Sequence, residues 1–240
     1  ALWDAQDGLD PERARVLERY RTSFVRAGAQ LDEAGKARIA AIGQELASLG
    51  TRFAQNVLAD ESAWELVLDG EADLAGLPDF VRGAAAATAA ERGKPGKHVV
   101  TLSRSSIEPF LVFSDRRDLR EIAFKAWAAR GENGGETDNR AIAAQMARLR
   151  LERAKLLGYE TFAAYRLADA MAKTPDAVND LLSRVWGPAR AKALAEREAL
   201  QAVAARDGSN DAVAPWDWRY LAEKARKAEH DLDEGQIKPY

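Results

Sequence analysis

The sequence predicts a mainly α fold: a multi-helix array with long antiparallel helices and one small β-hairpin at about 97–114. Three observations carry this expectation. Apolar residues recur three and four positions apart over most of the chain, the period of one helix face. Proline and glycine stand where helices should start and stop. Only between 97 and 114 do two short runs rich in valine and phenylalanine interrupt that period.

The first helix is expected to begin at Asp10, an N-cap followed by Pro11, and to stop at Gly28. Val16, Leu17, Tyr20 and Phe24 would form its apolar face. A longer helix follows, in which Ile39, Ile42, Leu46, Leu49, Phe53 and Val57 make a coiled-coil-like seam. Gly43 and Gly50 weaken its intrinsic propensity, so packing must hold it. Residues 60–76 are irregular, and 78–93 read as an alanine-rich helix ended by Gly93. The runs "KHVVTL" (97–102) and "PFLVFS" (109–114) are the expected hairpin strands, and they must pack on helices because a lone hairpin is marginal.

Helices resume at Arg116–Ala129, and "ENGGETDN" (132–139) is a turn-rich loop. Asp138 or Asn139 would cap a helix with the stripe Ile142, Met146, Leu149, Arg153 and Leu156, stopped by Gly158. Thr174 and Pro175 form an N-cap and first helical position for a helix reaching about residue 206, with a kink or break expected at Pro188. Residues 206–215 read as a loop, and "WDWRY" opens the last helix. No internal repeat supports a solenoid. Residues 1–240 are expected to be one helical region, with a possible sub-boundary near the 132–139 loop.

Composition narrows the function classes. Apolar residues make up 47% of the 240 and allow a sizeable core, while 35 basic and 38 acidic residues are well mixed, with net charge -3. No basic stripe suited to a phosphate backbone is present, so nucleic acid is not an expected partner. No apolar run reaches the length of a membrane span, and the N-terminus lacks the regions of a signal peptide. The absence of cysteine removes disulfides, thiolate metal sites and a cysteine nucleophile, and fits a cytoplasmic location. The first residue is not Met, which points to a processed or excised piece.

Chemistry-bearing motifs are near misses. In "EHDLDEG", His230 and Glu234 sit four apart around Asp231 and Asp233, close to H-E-x-x-H but without its second histidine or its glutamate. The other histidine, His98, lies far away in sequence. A helix end closed by Gly235, with a His–Glu contact, is the favoured reading over a metal site. Asp207, Ser209 and Asp211 alternate as in a calcium loop, but Ala212 and Trp218 occupy the positions that need Gly and Glu. Gly-rich phosphate loops and a G-x-S-x-G elbow are missing. Trp216, Trp218 and Tyr220 cluster at a helix start with Asp217 as N-cap, an anchoring staple in preference to a ligand site. No catalytic or metal residue is therefore assigned, and substrate-binding residues stay unassigned.

Several segments, in order, resemble the thimet oligopeptidase and peptidyl-dipeptidase Dcp family of zinc metallopeptidases. They are "SFVRAGAQLDE", "LASLGTRFAQNVL", "LAGLP", "DLREIAFKAWAARG", "LRLERAKLLGYETFAAYRLADAMAKTPDAVNDLLSRVWGPA" and "PWDWRYLAEKARKAEHDLDEGQIKPY". "MAKTP" leans toward the Dcp branch. The resemblance implies a helical protein with a deep channel for short unfolded peptides, and a zinc held by an H-E-x-x-H helix. In the intact enzyme zinc would polarise the scissile carbonyl and Glu would act as general base. It also implies that these 240 residues form the part before the catalytic lobe, hold no zinc and are inactive alone. Their expected partners are short peptides and that missing lobe; the parent is expected to be monomeric, and this part, lacking the lobe, to self-associate. The competing expectation is a stand-alone truncated paralogue acting as a helical peptide-binding or scaffold module. Endopeptidase and dipeptidyl carboxypeptidase activity are both left open.

Overall fold

The structure, a computed structural model, describes residues 8–230. Glu234, Gly235 and the rest of the terminal motif that follows His230 lie outside the described residues. Among the described residues there are nine α-helices and one two-stranded antiparallel sheet. The chain divides into two compact units. One comprises residues up to Phe53 and Arg140–Leu182; the other comprises Ala54–Asn139 and the residues from Ser183 on.

The first unit begins with α1 (Pro11–Arg26). Asp10 caps it as expected, accepting from the Arg13 N–H at 2.9 Å, and Gly28 follows with φ +102°. The expected apolar face is not buried: Val16, Tyr20 and Phe24 are 50%, 65% and 64% exposed. The period correctly marked a helix, but it does not say that a partner lies against the face. Helix α2 (Glu33–Ala63) runs through both units. Its Ile42, Leu46 and Leu49 pack on Ile142, Met146 and Leu149 of α6 (Arg140–Leu156). The pairing is antiparallel, because Arg38 reaches Glu152 with two bonds of 2.6 and 2.7 Å while Glu45 accepts from Gln145. This is the middle of the seam the spacing predicted; Phe53, expected to continue it, is 37% exposed. Helix α7 (Phe162–Leu167) starts at Thr161, whose hydroxyl accepts from the Ala164 N–H at 3.0 Å.

The second unit holds the larger core. Strand β1 (Leu66–Leu68) pairs antiparallel with β2 (His98–Val100), Leu66 opposite Val100. The predicted hairpin is thus half right. "KHVVTL" supplies a strand, but its partner is Leu66–Leu68, and 109–114 is not a strand. Those residues close α4 (Arg104–Phe113), which includes Pro109. Ile107, Phe110 and Leu111 are buried at helical spacing, so two-sided packing overrides the β preference of "FLVF". They join Leu68, Leu77, Val81 of α3 (Asp79–Glu91), Leu102 and Ala123 of α5 (Arg117–Ala128) in one core.

Helix α8 (Pro175–Arg206) is capped by the Thr174 hydroxyl, which accepts from the Ala177 N–H at 3.2 Å. It runs unbroken through Pro188, against the break expected there. Proline costs an interior helix one hydrogen bond, and thirty-two residues of helix carry that loss. Its end packs through Leu200 and Ala204 on Leu221 of α9 (Trp218–His230).

Candidate functional site

Helix α9 is fixed at its start by a buried charge cluster. Asp217 is 4% exposed and Arg120 2%. Arg120 donates to Asp217 at 2.9 Å and to the Ser114 carbonyl at 2.6 Å. Arg117 donates to both Asp217 oxygens at 2.9–3.2 Å and to Asp211 at 3.1 Å. Burial alone would raise the Asp217 pKa. Arg117, the Ala214 N–H and Arg120 outweigh it and hold the carboxyl below its ordinary range. Asp217 sits at the predicted cap position, and its carbonyl accepts from the Leu221 N–H at 2.9 Å. Its side chain, however, serves α5.

The neighbouring aromatics complete the anchor. Trp216 lies 6.4 Å from Phe124 between ring centroids, and the Lys125 ammonium is 5.2 Å from the indole. The Tyr220 hydroxyl donates to Asp115 at 2.7 Å. Gly76 (φ +79°) lets the 70–77 turn reach this junction: a Cβ there would stand 2.3 Å from the Phe113 carbonyl oxygen. The expected anchoring is thus seen for Trp216 and Tyr220, which tie the start of α9 to Phe124 and Asp115, whereas Trp218 lines the space between α4 and α9. The alternating acids read as a failed calcium loop are tied to cations, Asp207 to Lys224 at 2.6 Å and Asp211 to Arg117.

Between α4 and α9 this scaffold leaves a groove of about 940 Å³. Its apolar lining comes from Pro109, Val112, Phe113, Trp218 and Ala222. Its charged lining is Arg104, Arg219, Arg226, Glu108 and Glu223. Arg104 donates to Glu108 at 2.9 Å, and Arg219 lies 3.5 Å from the same carboxylate. The Arg104 hydrogen bond is the main reason that the Glu108 pKa lies below its ordinary range. Glu223 receives two bonds from Arg226, at 2.6 and 2.8 Å. An apolar floor with polar groups along its edges suits an extended peptide, whose side chains need burial and whose backbone and terminus need charge or hydrogen bonds. Sequence reasoning missed the groove, although "RSSIEPFLVF" and "WRYLAEKAR" both carry charges on one side of an apolar stripe.

The two histidines lie on different elements. His98 lies on β2, and His230 ends α9, 3.9 Å from Glu229. Among the described residues no group of three or more His, Asp or Glu side chains could hold a metal ion. Zinc requires at least three convergent protein ligands, so the described residues do not fit it. Among the described residues, no helix is long and apolar enough to cross a membrane.

Comparison with known proteins places the helical scaffold. Residues 110–240 match the model of Peptidase family M3, more than half of the chain. The chain belongs to peptidase family M3. This M3 chain is 36% identical, over its whole length, to dipeptidyl carboxypeptidase of Escherichia coli (strain K12), and 30% identical to oligopeptidase A of the same organism. Saccharolysin of Saccharomyces cerevisiae is 26% identical over 98% of the chain. The M3 chain spans only 36% of the length of each of the two bacterial relatives and 33% of the yeast protein.

Proposed function

We propose that this chain is the non-catalytic helical portion of a zinc-dependent oligopeptidase or dipeptidyl carboxypeptidase, acting in the cytoplasm, and that the groove between α4 and α9 forms part of one wall of a channel for short peptides. The groove is the observation that carries this reading: it encloses about 940 Å³ and carries three guanidinium groups against two carboxylates. Membership of a peptidase family supports peptides as the ligand class, and the names of the relatives supply the two activity types. Metal-holding residues belong, in this reading, to the larger share of the protein that these 240 residues do not span. The exposed faces of α1 and α8, among them Tyr20, Phe24, Val185 and Trp186, support self-association of the chain when it is alone.

In this reading the chain confines and orients peptides without cutting them. Incubation with a quenched-fluorescence octapeptide should give no turnover, and metal analysis after dialysis should find no stoichiometric zinc. Turnover that scales with chain concentration, or one tightly held zinc per chain, would refute the non-catalytic assignment. Reading the codons beyond Tyr240 for an H-E-x-x-H helix tests whether the chain is continuous with a catalytic lobe.

A further inference from the structure

A second charged site lies in the first unit and shares no residue with the groove. Arg19, Arg26, Arg153 and Arg166 line a basin of about 370 Å³ that has one carboxylate, Asp169, among its lining residues. Arg19 donates to Asp169 at 2.9 Å, which accounts for that carboxylate. Three guanidinium groups are left over. Arg26 donates to the Tyr165 carbonyl at 2.8 Å, and its guanidinium carbon stands 4.4 Å from the Tyr165 ring centroid. Arg153 stands 5.7 Å from the same ring, and its Nε is buried with no hydrogen-bond partner. Arg166 is exposed and has no carboxylate within ion-pair reach among the described residues.

A buried guanidinium N–H without an acceptor is costly, because it has lost water and gained nothing in return. Cations that lack carboxylate partners also repel one another. Both costs fall when a multiply charged anion enters. Two of the arginines, Arg26 and Arg153, stand over the ring of Tyr165, which is 8% exposed. The imbalance extends beyond the basin: residues 8–53 and 140–182 contain fifteen Arg and Lys against eleven Asp and Glu, in a chain whose net charge is -3.

We propose that this arginine basin binds a small multiply charged phosphate anion, of which pyrophosphate is the simplest probe. Planar guanidinium forks match the several oxygens around a phosphorus centre, and two linked phosphoryl groups can satisfy more than one arginine at once. A single carboxylate offers too little charge to satisfy three.

The test titrates the 240-residue chain with sodium pyrophosphate in a calorimeter at low ionic strength, with sodium acetate at equal ionic strength as comparison. The expected result is saturable binding of one pyrophosphate per chain and no saturable acetate heat. Losing one charge-assisted set of hydrogen bonds should weaken binding about tenfold in Arg166→Met and in Arg153→Met. Arg52→Met, an exposed change outside the basin, should leave it unaltered. Arg166→Met keeps the test decisive if circular dichroism shows Arg153→Met unfolded, since Arg166 is exposed. Absence of saturation, equal binding by acetate, or Arg166→Met binding as tightly as Arg52→Met would overturn the proposal.

Discussion

Two arginine clusters in this chain differ in charge balance. In the cluster that anchors α9, Arg117 and Arg120 face Asp217 and Asp211, and the central pair is almost fully buried, with side chains 3% and 6% exposed. In the basin of the first unit, four arginines face Asp169 alone. A matched and buried set carries a large penalty for breaking it and offers little to a ligand. An unmatched and open set adds little to stability and keeps its donors for something else. The lesson is that charge balance and burial together separate a structural cluster from a binding one, where residue type does not.

The comparison can be broken by substitution. The largest effect should come from Asp217→Asn, which leaves Arg120 buried without its counter-ion and should cost about 3–5 kcal/mol in urea unfolding. A loss under about 1 kcal/mol, the level of an exposed pair, would erase the distinction. The same cluster predicts a pH response. The folded Asp217 pKa is lowered, so its contribution is fully present above the unfolded value of about 3.9 and is lost as pH falls through the folded value. The stability gap between wild type and Asp217→Asn should therefore narrow below about pH 4. A gap that widens on acidification would reverse the sign.

Gly76→Ala should come next. A left-handed backbone costs a non-glycine residue about 1–2 kcal/mol, and the new Cβ would also stand 2.3 Å from the Phe113 carbonyl oxygen, which must shift. The smallest effect belongs to the basin: Arg166→Met should change stability by less than about 0.5 kcal/mol, the usual range for an exposed position. A destabilisation comparable with that of Asp217→Asn would make the basin another structural cluster.

Much of this was legible in the sequence, and the misses share a cause. Caps at Asp10 and Thr174 and the seam of Ile42, Leu46 and Leu49 depend on neighbours within a few residues, or on a regular period, and they stand where spacing put them. The strand expected at 109–114 failed because "FLVF" is equally apolar as strand or helix, and the deciding contacts come from Leu77, Val81 and Ala123. The exposed face of α1 failed likewise: amphipathicity records a face, not its partner. Arg120 could not be found by pattern, since a buried arginine is recognisable only once Asp217, ninety-seven positions on, lies beside it. The groove needed α4 to be a helix before α9 could face it.

The central claim is that this groove receives peptides. It is tested most directly by fluorescence anisotropy of a labelled extended octapeptide added to the 240-residue chain, with Ser105→Trp as the variant. Ser105 is exposed on α4 and lines the groove, so a tryptophan there fills space without disturbing the core. The account predicts saturable binding by the wild-type chain, weakened about tenfold or more when the apolar floor is blocked. Binding of equal strength in both proteins, or no saturable binding by the wild type, would contradict it.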